Sequence, residues 1–241
     1  MKTSDYIATT IDRLPKGYVF TYEDFTDTVN KKEAIIKALN RMAASGKITK
    51  LSKGKYYKPE KTVFGELKPN QSQIVKDLLE DDGKTIGYLT GYSIYNQLGL
   101  TTQVSNTIQI GKNEIRPTFK RGMYTIKFIR QKNTITKDNI PLLQLLDAMR
   151  YIKKIPDTTV ASAAKRVLAI LEKLTEKDKT TMVRLAMKYP PATRALLGAL
   201  LDQLKNELLT EPLFNSLNPI TTYKLRGIDK TLSTTAKWNI V

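Results

Sequence analysis

The sequence predicts an α+β fold in three successive parts, and three observations carry that prediction. Residues 4–58 run through helical apolar spacing into two short strand-like segments. Residues 70–135 mix short helical and strand patterns. From Pro141 onward the chain is dominated by Leu, Ala, Ile and Met at helical spacing. A polar connector around residues 60–70 divides an N-terminal domain, 1–60, from a larger α+β and helical domain, 70–241.

Within the first part, Tyr6, Ile7, Ile11 and Leu14 recur at helical spacing until Pro15-Lys16-Gly17 breaks the pattern. Thr21, followed three residues on by Asp24, predicts a second short helix running to about Val29. Asn30 is read as the N-cap of a third helix with Glu33 in its first turn, ending at Ser45 before Gly46. Lys47–Leu51, a turn at Ser52-Lys53-Gly54-Lys55, and the return through Tyr56-Tyr57-Lys58 predict a two-stranded hairpin, with Gly54 supplying the positive φ of the turn. Three helices followed by such a hairpin are the order of a winged helix-turn-helix.

Further along, a short helix is expected near Ser72–Leu79 and another at Gly91–Leu98. Thr107–Ile110 and Tyr124–Ile129 read as strands. Helix restarts are expected near Thr158, Thr175 and Pro190-Pro191, a proline pair that a first helical turn tolerates.

Charge narrows the function more than fold does. The chain carries 40 Lys and Arg against 23 Asp and Glu, a net of +17, so attraction to polyanions is its first long-range property. A membrane is not the expected partner, because the longest uncharged run, residues 85–111, is rich in Thr, Ser, Asn, Gln and Gly. The opening residues lack the apolar stretch of a secretory signal, so a cytoplasmic protein is expected. With no cysteine and no histidine, disulfides, thiolate or imidazole metal sites, and the Ser-His-Asp triad are excluded. An enzyme would have to use carboxylates or lysines, and no cofactor is expected.

Turning the third helix by about 100° per residue places Ile35, Ile36, Ala38, Leu39, Met42 and Ala43 on one face and Glu33, Lys37, Asn40, Arg41 and Ala44 on the other. The second face suits a major groove, with Asn40 opposite adenine and Lys37 or Arg41 opposite guanine or phosphate. Lys31 and Lys32 stand at the helix start, where backbone N–H groups also favour phosphate. Lys50, Lys53 and Lys55 extend the same sign along the hairpin. Residues 31–58 hold nine basic residues and the single acid Glu33, whereas a face that is merely solvated mixes signs. Tyr56 and Tyr57 are expected to pack the base of the hairpin.

A second basic region, Lys112 to Lys137, carries eight cations against Glu114. It suits a longer DNA footprint, an acidic partner, or edge-strand protection equally well. Two rival functions stand beside DNA binding. One is a metal-dependent DNA-processing enzyme built on acids such as Glu80, Asp81 and Asp82 with Lys84, although consecutive acids read better as a solvated turn. The other is a protein-interaction module using its basic surface. The Gly-rich stretch at residues 87–99 has neither a Gly-Lys-Ser/Thr ending nor a Gly-x-Gly-x-x-Gly pattern, so its glycines are read as packing and turn positions with Tyr88, Tyr92 and Tyr95 in the adjacent core.

The segment Gly87-Tyr88-Leu89-Thr90-Gly91, a short helix, and Gly99-Leu100-Thr101, preceded by the predicted winged helix and followed by strands near Ile108 and Ile126, resembles the AbiEi-type antitoxins of abortive-infection systems over roughly residues 1–135. The resemblance implies a transcriptional regulator of a type IV toxin–antitoxin pair. Such a regulator binds inverted repeats in its own promoter, and its later region counters a nucleotidyltransferase-like toxin; a homodimer is expected separately, because winged helices often meet paired half-sites. The long helical part after Pro141 departs from the simplest form of that family.

Overall fold

The computed structural model describes residues 3–29 and 31–241, and the chain forms two compact units. Among the described residues it is a mixed α+β protein with ten α-helices and four small sheets. The N-cap expected at Asn30 lies outside the described residues.

The first unit comprises Met1–Asp77 and Lys120–Tyr124. It opens with α1 (Thr3–Arg13) and β1 (Val19–Phe20), followed by α2 (Lys32–Ala44) and the hairpin of β2 (Thr49–Ser52) and β3 (Lys55–Tyr57). The helix expected over Thr21–Val29 is reduced to one 3₁₀ turn, Glu23–Phe25. Its N-cap is Tyr22, not Thr21, and makes no side-chain cap bond; one residue earlier, Thr21 N–H donates to Asp24 Oδ2 at 2.8 Å and Glu23 N–H donates to Thr21 Oγ1 at 3.1 Å. The turn does not propagate because Thr26, Asp27, Thr28 and Val29 are all weak helix formers.

α2 ends in a Schellman motif. Lys47 N–H donates to Met42 O at 3.0 Å and Gly46 N–H to Ala43 O at 3.2 Å, with Gly46 at φ +73°. The hairpin turn likewise uses Gly54 at φ +74°. β1, β3 and β2 make a three-stranded sheet in that order, antiparallel, with Phe20 opposite Tyr56 and Tyr56 opposite Lys50. Ile7 and Ile11 of α1 pack with Ile35, Ala38 and Leu39 of α2 and with Phe20, Phe25, Ile48 and Tyr56. Full burial of each large aliphatic in this cluster stabilises the unit by about 1.5–3 kcal/mol.

The stretch expected to be a connector has more structure than its composition suggested. A second hairpin, β4 (Glu60–Thr62) and β5 (Gly65–Leu67), precedes two single-turn helices, α3 (Gln71–Ile74) and α4 (Lys76–Leu79), separated at Val75.

The second unit comprises Leu78–Phe119 and Thr125–Val241. Glu80, Asp81 and Asp82 sit on a two-residue hairpin between β6 (Glu80–Asp81) and β7 (Lys84–Thr85), whose tip takes positive φ at Asp82 and Gly83. Then come β8 (Gly87–Thr90), α5 (Tyr92–Tyr95) and β9 (Thr107–Lys112), followed by β10 (Phe119–Arg121), whose Lys120 and Arg121 belong to the first unit, and β11 (Tyr124–Arg130). Within this unit the sheet has the order β11-β9-β8; β9 pairs antiparallel with β8 and parallel with β11. Gly91 takes φ +56° where the Gln109 amide closes on the backbone and accepts Tyr92 N–H at 2.8 Å, a site a Cβ would occupy.

The helical part consists of α6 (Ile140–Arg150), α7 (Val160–Leu171), α8 (Glu176–Ala186), α9 (Pro191–Gln203) and α10 (Glu207–Asn215). The expected restarts are N-caps. Thr159 Oγ1 accepts Ser162 N–H and Thr175 Oγ1 accepts Asp178 N–H, each at 3.1 Å, while Pro191 begins α9. No helix among the described residues is long and apolar enough to cross a membrane.

Candidate nucleic-acid interface

α2 presents two chemically distinct faces. Ile35, Ala38 and Leu39 are buried and Ile36, Met42 and Ala43 partly so, while Glu33, Lys37, Asn40, Arg41 and Ala44 are exposed. Lys37 and Arg41 lie one turn apart on the exposed face, and among the described residues neither has a carboxylate within 4.0 Å. Lys31 and Lys32 are exposed at the helix start, where the N-cap residue Lys31 makes no side-chain cap hydrogen bond. Lys32 Nζ stands 4.4 Å above the Tyr22 ring, which orders it without neutralising it.

Asn40 is held in place. Tyr56 OH donates to Asn40 Oδ1 at 2.6 Å, fastening the exposed face of α2 to β3. One lone pair of that oxygen is therefore occupied, and the amide N–H groups are left to meet an acceptor. Tyr56 itself is buried, with its ring stacked on Phe20 at 6.4 Å, and burial raises its hydroxyl pKa.

The hairpin lysines separate into free and engaged groups. Lys50 and Lys53 are exposed, Lys53 beside the turn. Lys55, expected on the DNA surface, is turned aside: its side chain is only 19% exposed and its ammonium lies 3.2 Å from Asp77. Asp77 also receives both guanidinium nitrogens of Arg121, at 2.6 and 2.9 Å, and Arg121 Nη1 reaches Ile74 O at 2.7 Å. Burial pushes the Asp77 pKa up, but Arg121 and then Lys55 outweigh it and hold the carboxyl below its usual range. Lys47 pairs with Asp12 at 2.9 Å, and Lys58 donates to the Asp12 and Leu14 carbonyls at 2.7 and 2.8 Å. Charge counting along the sequence could not distinguish these anchors from free cations, because their partners lie 22 to 47 residues away.

Tyr57 is buried beside Tyr56 and donates to Glu66 of β5, tying the two hairpins together. Burial first, and the Glu66 hydrogen bond second, push its pKa up to about 12.

The second basic region is partly structural. Lys112 and Arg121 are buried, whereas Arg116, Lys120, Lys127, Arg130, Lys132 and Lys137 are exposed. Sequence reasoning also passed over Asp147, in the apolar run Leu142-Leu143-Gln144-Leu145-Leu146-Asp147 of α6. Asp147 is buried and accepts Tyr88 OH at 2.7 Å, Thr90 Oγ1–H at 2.7 Å and Tyr189 OH at 2.9 Å. Desolvation raises its pKa despite those three bonds. A lone acid on the apolar face of a helix was the available signal, since such a group survives burial only with hydrogen-bond partners.

Residues 6–179 match DUF6088, a family of unknown function, and the chain belongs to that family. No curated protein matches the sequence. Among solved structures, the fold is similar to the crystal structure of the RV2827C protein from Mycobacterium tuberculosis. The TM-score is 0.60 at 14% identity, covering 100% of this chain and 91% of that one.

Proposed function

We propose that the first unit is a winged helix-turn-helix that binds duplex DNA, with α2 in the major groove and the β2–β3 hairpin as its wing. The observation that carries the reading is the exposed face of Lys37, Asn40 and Arg41 on a helix whose opposite face is core. The exposed Lys50 and Lys53 of the adjoining hairpin have the same sign. Arg and Asn match base edges in the groove, while the lysines suit phosphate. The chain is read as a non-enzymatic transcriptional regulator. The AbiEi resemblance adds the further proposals of an antitoxin role against a nucleotidyltransferase-like toxin and of binding to inverted repeats; dimeric binding on paired half-sites and a cytoplasmic location are proposed beside them.

The test is an electrophoretic shift with the DNA upstream of the chain's own reading frame as probe. Lys37→Glu combined with Arg41→Glu is expected to abolish the shift while the circular dichroism spectrum is unchanged. Retention of the shift by that folded double variant would refute the helix assignment. Adding an adjacent nucleotidyltransferase-like gene product, toxic when expressed alone, tests the antitoxin role through rescue of growth.

A further inference from the structure

In the second unit, a cavity of about 300 Å³ is lined by Arg130, Lys132, Arg150 and Lys188, with Gln131, Tyr189, Pro190 and Pro191 completing its wall. The four cations come from three separate places: Arg130 ends β11 and leads to Lys132, Arg150 ends α6, and Lys188 precedes α9. All four are exposed to solvent, and among the described residues none has a carboxylate within 4.0 Å. Four like charges lining one concavity favour an anion there, although the buried Asp147 carboxylate acts electrostatically on Arg150 and Lys188 Nζ donates to Lys132 O at 3.4 Å.

The floor of this cavity is built rigidly. Gln131 Nε2 donates to Tyr88 OH and to Tyr189 OH, each at 2.8 Å, and both hydroxyls donate on to Asp147. Gln131 Oε1 accepts Asn133 N–H at 2.8 Å, and Asn133 Nδ2 donates to Leu185 O at 3.0 Å. The network fixes the backbone at 131–133 and the Tyr189 ring, so the cations project from a pre-formed frame.

A second cavity of about 230 Å³ shares Arg150 with the first. Its wall is largely apolar, with Met149, Ile152, Ala192, Leu196 and Leu225, and it also includes Lys153 and Lys154. The end of α6 and the first residues of α9 contribute to both cavities. The pair thus offers a polycationic chamber beside an apolar one, with a guanidinium between them.

We infer that the second unit binds a small ligand with a polyanionic phosphate head and a largely apolar body, a chemistry that a nucleoside triphosphate offers, at Arg130, Lys132, Arg150 and Lys188. The phosphates occupy the basic cavity, and the body lies against Met149, Ile152 and Leu225. None of the site's residues belongs to the first unit, which carries the DNA-binding surface proposed above.

The experiment is calorimetric titration of the full chain with ATP and, separately, with inorganic pyrophosphate at fixed ionic strength. ATP is expected to bind saturably below about 1 mM. Arg130→Ala combined with Lys132→Ala is expected to weaken ATP at least about tenfold, whereas the charge-matched control Lys173→Ala with Lys177→Ala leaves it unchanged. Ala192→Trp, at an exposed position that faces the apolar cavity, is expected to weaken ATP but spare pyrophosphate. Two results overturn the proposal: absence of saturable ATP binding, or equal loss of ATP in the control variant. A third is that Arg130→Ala with Lys132→Ala reduces affinity for duplex DNA while ATP is unaffected, which makes the patch a nucleic-acid track. Failure of the Lys37 and Arg41 variants to alter DNA binding leaves this site untouched, so the two readings fall separately.

Discussion

The Tyr56 hydroxyl donates to Asn40 Oδ1 at 2.6 Å, so a buried strand residue fixes the orientation of a side chain on the exposed face of α2. A bond of this kind contributes about 0.5–1.5 kcal/mol net. Tyr56→Phe keeps the ring stacked on Phe20 and removes only the hydroxyl. The expected result from urea unfolding is that Tyr56→Phe and Asn40→Ala each cost about 1 kcal/mol, and that the double variant costs little more than either alone. Strict additivity of the two single effects would mean that the bond is absent in solution.

Tyr57 gives the first unit a sensitivity to alkali. An unfolded tyrosine ionises near 10, whereas burial and the Glu66 hydrogen bond push the folded Tyr57 up to about 12. Between those values the folded chain holds a proton that the unfolded chain has released. Stability from this group is therefore complete below pH 10 and is lost as pH rises toward 12, with a limiting slope of about 1.4 kcal/mol per pH unit. Other tyrosines and lysines titrate in the same range, so the measurement is the difference between the wild type and Tyr57→Phe. That difference should shrink steadily from pH 9.5 to 11.5. A constant difference would show that the Tyr57 pKa is the same in both states.

Packing at the C-terminal end sets helix propensity against shape. Gly198 sits inside α9, where alanine would ordinarily favour the helix by about 1 kcal/mol. A Cβ there would lie 2.1 Å from the Trp238 ring, which is itself buried, donates Nε1–H to Asp202 at 2.9 Å and meets Phe214 edge-on. Gly198→Ala is therefore expected to destabilise by about 1–3 kcal/mol, because displacing the indole outweighs the propensity gain. Trp238 is the sole tryptophan, so its emission reports the same event and should shift to the red. A more stable Gly198→Ala variant with unchanged emission would contradict the packing.

Local chemistry made much of this architecture legible. The two faces of α2, its stop at Gly46, the hairpin turn at Gly54 and the caps at Thr159 and Thr175 each depend on residues within one or two turns of one another. Where the outcome depended on distant partners, the sequence was silent. Lys55 looked like a wing cation because nothing near it shows that Asp77 waits 22 residues on. The β4–β5 hairpin was missed because its three-residue strands, Glu60–Thr62 and Gly65–Leu67, are mostly exposed and show no inward-facing apolar alternation. The parallel pairing of β9 with β11 and the convergence of Arg130, Arg150 and Lys188 are products of tertiary folding, and no spacing rule encodes them.

Sorting the cations by their partners gives a sharper forecast for DNA binding. Of the nine basic residues between 31 and 58, Lys47, Lys55 and Lys58 are held by Asp12, Asp77 and backbone carbonyls. Lys31, Lys32, Lys37, Arg41, Lys50 and Lys53 remain exposed. If all six meet phosphate or the groove, log K should fall with log salt at a slope of about −5, near −0.9 for each phosphate neutralised. Lys53→Ala should reduce the slope by about 1 and weaken all duplexes alike, since a phosphate contact carries no sequence information. Arg41→Ala should instead lower the preference for the cognate duplex, because a guanidinium at a base edge reads it. Lys55→Ala should leave the slope unaltered and lower stability instead. A slope change with Lys55→Ala equal to that with Lys53→Ala would place Lys55 on the DNA after all and undo this division of the basic residues.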